Sequence, residues 1–452
     1  MKHKTLYLLI FLALTSGCGE DETLNSGTAT GGQAGTDAGG ASSAGSGGSS
    51  AGVGAGGSIA GAGGSAGSGG AGAGGPGGTG GSNAGAGGSE PTAPRLFVSA
   101  TDFATATEVV ALTLDGTQTA RLEFDDPDSV VTVSGGRAFA LERTAAVVHP
   151  LDVDGAATGS SIDLSTAVAS ASSQNPHDVV VATGTSPLKA YVPLYDAGHV
   201  AVLNLDDNTL TKTIDLTGFG DTLDTDGGVE PDYAWFDSSR NRIWFTLARI
   251  DLSTIIAPDY QLACTGRSLL MALDVTDDSI VDLNGSDPGV GLELLHVAPT
   301  SVHYVESSDT LYVLSSGCFG NGASARSSLG VNAIKLSDLN QTEALAPAGD
   351  AFYSTLLWNP DQVLLQSFAG FTEEWHSWNT TDSTLGAQVS FVPDAATTDG
   401  QGTLYGVDAV SDGTNTTFEV VRVDAATGAR SVIAQNPFTS GLGYTGSSTF
   451  RP

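Results

Sequence analysis

The chain has 452 residues, with 17 Lys and Arg against 50 Asp and Glu, giving a formal net charge of −33. A surface this acidic repels phosphate backbones and anionic headgroups, which excludes nucleic acid as a partner and leaves cations and basic or neutral ligands. Asp far outnumbers Glu, and Asp is a turn residue, so much of the charge belongs to a fold with many turns.

Lys2, His3 and Lys4 open the chain, and Leu6 to Leu14 is an apolar run too short to span a bilayer and right for the core of an export signal. Thr15-Ser16-Gly17-Cys18 follows. This resembles the bacterial lipobox, with the usual Leu one place early at Leu14. The resemblance implies that residues 1–17 are a lipoprotein signal peptide and that Cys18 is lipidated. The chain is then exported and held to the membrane of the cell envelope by lipid. Gly19 after Cys18 is similar to an outer-membrane or surface address. The alternative is an ordinary secretory signal that contains a Cys.

Residues 18–93 are a tether. From Asn25 to Ser89 they are almost all Gly, Ser, Ala and Thr, with only Val53 and Ile59 as large apolar residues. Such a segment has too little apolar surface to offset its ordering entropy, and is expected to be disordered with a reach of roughly 45 Å. Gly63-Gly64-Ser65-Ala66-Gly67 matches a nucleophile-elbow pattern, but neither strand nor helix flanks it, so it carries no chemistry.

Residues 94–452 form one domain. A strand ending at an Asp, then a polar turn, then another strand recurs at Leu112-Thr113-Leu114-Asp115, Pro150-Leu151-Asp152, Leu203-Asn204-Leu205-Asp206, Ala272-Leu273-Asp274 and Arg422-Val423-Asp424, with Ile334-Lys335-Leu336-Ser337 as a variant. Apolar and β-branched runs fall into seven groups: 95–124, 129–164, 177–216, 232–283, 301–345, 352–391 and 397–434. A repeated four-strand unit without helical punctuation predicts an all-β, seven-bladed β-propeller. The first group lacks an inner strand, and residues 442–450 are left over. The C-terminal strand is therefore expected to complete the first blade and close the ring. A closed ring of this kind is expected to be a monomer.

The third unit is the best formed. Asn175-Pro176-His177-Asp178 leads to Lys189–Pro193, then Gly198–Asp206, then Thr211–Leu216. This resembles the YVTN-type propeller repeat. Relatives with that architecture include lactonases and quinoprotein-like dehydrogenases, which carry a metal or cofactor over the central channel.

The loops that lead into the inner strands are rich in polar groups. They read Asp126-Pro127-Asp128, Asn175-Pro176-His177-Asp178, Glu230-Pro231-Asp232, Ala298-Pro299-Thr300, Gly349-Asp350 and Pro393-Asp394. These loops share one face, so Asp126, Asp128, His177, Asp178, Glu230, Asp232, Asp350 and Asp394 are candidates for a metal or ligand site at the channel mouth. Oxygen ligands from several loops suit Ca²⁺. The competing reading is that each acid caps its own loop amides. Asp221, Asp224 and Asp226 form a second acidic loop without EF-hand spacing, a weak cation site or a solvated turn.

Cys264 and Cys318 are predicted to lie between the second and third strands of adjacent blades, on one face. In an exported protein they suggest one disulfide, worth about 4 kcal/mol by chain entropy. Trp375, His376 and Trp378, with Phe368 and Phe371, read as core between blades or as an aromatic sugar- or peptide-binding patch. His149, His199, His296 and His303 read as structural. No catalytic constellation stands out, so the sequence leans away from an enzyme. The functional expectation is a lipid-anchored binding or scaffold module for a protein or polysaccharide partner. The alternatives are a metal-dependent propeller enzyme, lactonase-like or quinoprotein-like, or a structural surface-layer component.

Overall fold

The computed structural model describes residues 94–102, 104–220, 226–256, 261–263, 267–285, 291–317, 329–346, 351–359, 362–369, 372–411, 416–439, 442 and 444–451. Residues 1–93, including Cys18, lie outside this set, as do Asp221, Asp224, Cys264, Cys318, Asp350 and Phe371.

The described chain is a ring of seven antiparallel sheets. Blade one holds β1 (Arg95–Thr101), β2 (Thr107–Leu112) and β3 (Gln118–Phe124). Blade two is β4 (Ser129–Ser134), β5 (Arg137–Glu142), β6 (Val147–Leu151) and β7 (Ile162–Asp163). Blade three is β8 (Val180–Ala182), β9 (Lys189–Leu194), β10 (His199–Asn204) and β11 (Thr209–Asp215). Blade four has β12 (Pro231–Asp237) and β13 (Arg242–Leu247), then an inserted hairpin of β14 (Asp251–Ile256) and β15 (Gln261–Ala263). It resumes with β16 (Leu269–Asp274) and β17 (Ser279–Ile280), and β18 (Leu292–Glu293) also pairs with β16. Blade five is β19 (Pro299–Val305), β20 (Thr310–Ser315), β21 (Gly330–Lys335) and β22 (Asn340–Leu345). Blade six is β23 (Ala351–Trp358), β24 (Val363–Ala369), β25 (Thr372–Asn379) and β26 (Thr384–Val389). Blade seven is β27 (Ala395–Thr398), β28 (Thr403–Ser411), β29 (Thr416–Asp424) and β30 (Arg430–Gln435).

The last strand, β31 (Tyr444–Arg451), pairs antiparallel with β1, placing Phe450 opposite Leu96 and Thr449 opposite Phe97. Blade one is thus completed by the chain's tail, as the leftover C-terminal run predicts. The inner strands β31, β4, β8, β12, β19, β23 and β27 neighbour one another in turn, and β27 returns to β31.

Each strand's composition follows from its radial position. Middle strands are covered on both faces by adjacent blades and read as continuous apolar runs: all of Leu269–Leu273 in β16 is buried, as is Ile243–Leu247 in β13. Outer strands face water and read as polar, as in Thr209–Asp215 and Asn340–Leu345. The outer strands of blades two and four shrink to two residues each, β7 and β17.

Seven apolar clusters fill the seven gaps between successive blades. Each fully buried Leu, Val or Phe contributes about 1.5–3 kcal/mol. The Asp of the repeated signature closes its turn. Asp152 Oδ1 accepts from the Asp154 amide at 2.8 Å, Asp274 Oδ1 from Thr276 at 2.8 Å and Asp424 Oδ1 from Thr427 at 2.8 Å. These are Asx turns, which Glu is too long to make, and they explain the preference for Asp.

Candidate functional site

The blades follow one another with strands alternating in direction, so the loops into the inner strands share a face with the turns after each second strand. The leading-loop acids on this face divide into two groups. Asp126, Glu230 and Asp394 serve their own loops. Asp126 is buried and accepts from the amides of Asp128 (2.9 Å), Thr144 (2.9 Å) and Ala145 (3.2 Å). Glu230 accepts from the Ile250 amide at 3.0 Å, and Asp394 from the Ala409 amide at 3.1 Å. Each ties the leading loop to the end of the blade's second strand. For these three the turn-capping reading accounts for the residue.

The second group is brought together by a residue that sequence reasoning missed. Arg143 sits in the turn between β5 and β6, held there by the contacts of Asp126 to Thr144 and Ala145. Its Nη1 donates to Asp128 Oδ1 at 3.1 Å and its Nε to Asn175 Oδ1 at 3.1 Å. Its Nη2 contacts His177 Nε2. On its other side His177 Nδ1 bonds Asp232 Oδ1 at 3.0 Å, and the ring stacks on Tyr195 with centroids 4.1 Å apart. The partners assign the tautomer: Nδ1–H donates to the carboxylate, and the Nε2 lone pair accepts from the guanidinium. The chain Asp128–Arg143–His177–Asp232 spans blades two, three and four. The signal available in sequence was one Arg one residue past a second strand, in a chain poor in bases.

Asp178 lies beside this chain. Its Oδ1 accepts from Thr132 Oγ1 on β4 at 2.7 Å and from the Val179 amide at 2.8 Å. Its Oδ2 faces the Ala234 amide on β12 at 3.4 Å. One carboxylate thereby links three consecutive inner strands.

The electrostatics follow from burial. Burial lowers the His177 pKa, and the Arg143 charge lowers it further against the pull of Asp232, so the imidazole is held neutral. Burial raises the carboxyl of Asp128, with Arg143 opposing, and raises that of Asp178. Asp394 is also raised by burial.

The convergence expected of the leading loops is real for Asp128, His177, Asp178 and Asp232. The charge that balances them is Arg143. Its guanidinium stands between Asp128 and His177, where a bound cation would need those same ligands, so the arrangement fits Ca²⁺ poorly as it stands. Among the described residues no group of three or more His, Cys, Asp or Glu side chains is placed to hold a metal ion. Asp226 accepts from the Gly228 amide at 2.8 Å, a local turn contact.

Three of the other described histidines have local partners. His149 Nε2 meets Glu142 at 2.6 Å, His199 Nδ1 meets the Ala197 carbonyl at 2.6 Å, and His303 stacks on Trp358. His296 is buried with Glu343 at 3.4 Å. Trp375 and Trp378 are buried between blades, in keeping with a core role. Trp378 also lines a cleft of about 630 Å³ at the opposite ends of the blade-six strands, with Trp358, Asn359 and Ser377.

No protein-family model matches the sequence, and no curated protein matches it. Several solved structures resemble it at low identity. A putative 6-phosphogluconolactonase from Bacteroides fragilis is 12% identical over 80% of this chain and 99% of its own, with a TM-score of 0.47. A protein from Lactobacillus plantarum is 13% identical over 79% and 98%, with a TM-score of 0.45. The Swd1 β-propeller domain from Myceliophteria thermophila is 10% identical over 74% and 94%, with a TM-score of 0.44. Similarity at this level leaves ligand and chemistry unassigned.

Proposed function

We propose that this protein is a binding or scaffold module of the bacterial cell envelope, anchored through a lipidated Cys18 and carried on its Gly/Ser/Ala-rich tether. The observation that carries the non-catalytic part is the state of His177. Both ring nitrogens are engaged, one by Asp232 and one by Arg143. A general base needs a free lone pair within reach of its proton, and here the guanidinium has taken it. The three neighbouring acids of this face, Asp126, Glu230 and Asp394, are bonded to backbone amides. A rigid, charge-compensated face suits recognition better than turnover.

Two measurements test this. Full-length protein assayed against simple lactones, esters and glycosides is expected to show no turnover. Turnover that disappears in His177→Gln would replace the binding reading with the lactonase-like one. Ca²⁺ is expected to leave the melting temperature unchanged, and a Ca²⁺-dependent rise would reinstate a metal centre at Asp128, Asp178 and Asp232. The anchor is tested separately by labelling growing cells with a radioactive fatty acid. Label is expected on the wild-type protein and absent from Cys18→Ala.

A further inference from the structure

We infer that Asn340, on the outer rim of blade five, is an attachment site for an N-linked glycan. The inference rests on the reading that the chain is exported, because transfer of a glycan to Asn belongs to exported proteins.

Asn340-Gln341-Thr342 supplies the acceptor pattern, an Asn followed two places on by a hydroxyl residue with no Pro between. The pattern is common in sequences, so its placement decides. β22 is the outermost strand of blade five, and among the described residues no strand pairs with its outer edge. Asn340 is its first residue, directly after the turn from β21, and Asp338, Asn340 and Thr342 are all exposed. Asn340 lies opposite Lys335 and Thr342 opposite Ala333. The Asn and Thr side chains therefore share one face of the strand, and Gln341 takes the other. Gln341 Nε2 donates to the Glu293 carbonyl at 2.6 Å, and Leu339 packs in the gap between blades four and five. These two contacts hold the segment to the ring and leave the acceptor pair open to an approaching enzyme.

The second observation is the state of the Asn340 amide. An amide nitrogen is a poor nucleophile, since its lone pair is delocalised into the carbonyl. Asn340 Nδ2 donates to Asp338 Oδ2 at 3.1 Å, and the Asn340 backbone amide donates to Asp338 Oδ1 at 3.0 Å. An ionised carboxylate only accepts, so the side-chain atom facing it is the nitrogen. One carboxylate thus orients the amide and draws on its N–H, which raises the electron density at Nδ2. The pattern recurs at Asn379-Thr380-Thr381, with Ser377 in place of the acid, and there Asn379 Oδ1 accepts from the Thr381 amide at 2.9 Å. It also recurs at Asn284-Gly285-Ser286 and Asn415-Thr416-Thr417, but Ser286 and Asn415 lie outside the described residues. Asn340 is the described match in which a carboxylate meets the nitrogen.

The co-reactant is a sugar carried on a polyprenyl diphosphate. Nδ2 attacks the anomeric carbon, and the N–C bond forms as the C–O bond to the diphosphate breaks. The diphosphate leaves with that electron pair, and the surplus amide proton passes to a base of the transferase. Nothing is oxidised or reduced. A glycan at Asn340 stands beside the open edge of β22 and blocks strand addition there, a hazard that exposed edges carry.

The test is mass spectrometry of the full-length protein recovered from the envelope fraction of the organism that encodes it. Cleavage before Asp338 and Asp350 yields the peptide 338–349. That peptide is expected to be heavier than its sequence by the mass of a glycan, with fragmentation placing the addition on Asn340. Asn340→Gln and Thr342→Ala are expected to lose the added mass, Thr342→Ser to keep it, and Asp338→Ala to lower the occupied fraction. All four substitutions are at exposed positions, and an unchanged melting transition confirms that each variant folds. Envelope-located protein whose 338–349 peptide has its bare mass overturns the inference and leaves export standing. Protein found only in the cytoplasm overturns both. Added mass that survives Asn340→Gln, or that sits on Asn379 instead, also overturns the inference.

Discussion

Asp128, Asp178 and Asp232 are wholly or partly withdrawn from water on one face of the ring, and a carboxylate so placed is destabilising unless donors or a cation stand beside it. Asp178 is met by a hydroxyl and amides, whereas Asp128 and the His177–Asp232 pair depend on Arg143. The Arg143 side chain is 12% exposed and that of Asp128 is 39% exposed, so solvent screens part of the interaction. Arg143→Met is therefore expected to destabilise by about 1–3 kcal/mol, below the 3–5 of a fully buried pair. A shift of the urea midpoint at constant slope would show it, and an unchanged midpoint would mean that the cluster adds nothing to folding. His177 sets a pH dependence of definite sign. Its pKa in the folded chain is below the ordinary 6.5, so from pH 6.5 downward the unfolded chain takes up a proton that the native one refuses. Stability present above pH 6.5 is thus lost as pH falls towards the folded value, at a limit of about 1.4 kcal/mol per pH unit. His303 acts in the same direction between 6.5 and about 4. The raised carboxyls of Asp128 and Asp178 act oppositely, stabilising the folded chain below the ordinary value of 3.8 and losing that contribution as pH rises through their raised values. Urea midpoints measured from pH 7 to pH 5 are expected to fall, and His177→Gln is expected to flatten the fall.

At the scale of the strand, a polar clamp between blades three and four shows how neighbouring sheets are indexed. Lys189 and Tyr191 of β9 and Lys212 of β11 all reach Asp278, in the turn between β16 and β17. The Asp278 side chain is 9% exposed. Burial works to raise its pKa, but the hydrogen bonds from Lys189, Tyr191 and Lys212 hold it below the ordinary carboxylate value. Asp278 has φ 58°, in the left-handed region that Asp and Asn tolerate. Asp278→Ala removes the acceptor, leaves the Lys189 ammonium without its carboxylate and strains the turn, at an expected cost of about 2–4 kcal/mol. Asp278→Asn keeps the turn and an oxygen acceptor and is expected to cost about half as much. Equal losses for the two variants would show that the ion pair matters and the backbone conformation does not.

For the whole molecule the decisive joint is the one between β31 and β1, which brings residues 444–451 back to 95–101. Six of the seven blades are contiguous in sequence; the first is stitched from both ends of the domain. Deleting residues 444–451 would bare the edge of β1 and uncover Leu96, Val98 and Ala100, all buried in the gap between blades seven and one. At roughly 1.5–3 kcal/mol for each large side chain uncovered, Leu96 and Val98 alone would cost about 3–6 kcal/mol, a large part of the roughly 5–15 kcal/mol that holds a domain folded. The truncated protein is expected to lose its cooperative thermal transition and to elute as multimers on size exclusion, since an open sheet edge recruits another. A truncation that melts cooperatively as a monomer would refute closure by the tail. Among the described residues the exposed large apolar side chains are scattered: Val153, Leu295, Val410 and Val432.

Blade number, blade limits and the return of the tail were all legible in the sequence, because each rests on an interaction between near neighbours or on a count. Alternation, apolar runs and turn residues are dictated by which face of a strand meets another sheet, and that is written within six or seven consecutive residues. The leading-loop acids were legible as positions but not as roles. Asp126 and Asp128 are two residues apart and of one chemical type, yet one binds backbone amides and the other Arg143. Nothing local separates them. His177 meets Asp232 across 55 positions and Arg143 across 34, and Trp358 of β23, Trp378 of β25 and Ala426 after β29 line one cleft from three separate elements. The sequence by itself determined the ring, since repetition and periodicity are properties of the covalent chain. Which charges neutralise each other was decided only when the blades were set side by side, because those contacts depend on the angle between sheets and not on anything within one.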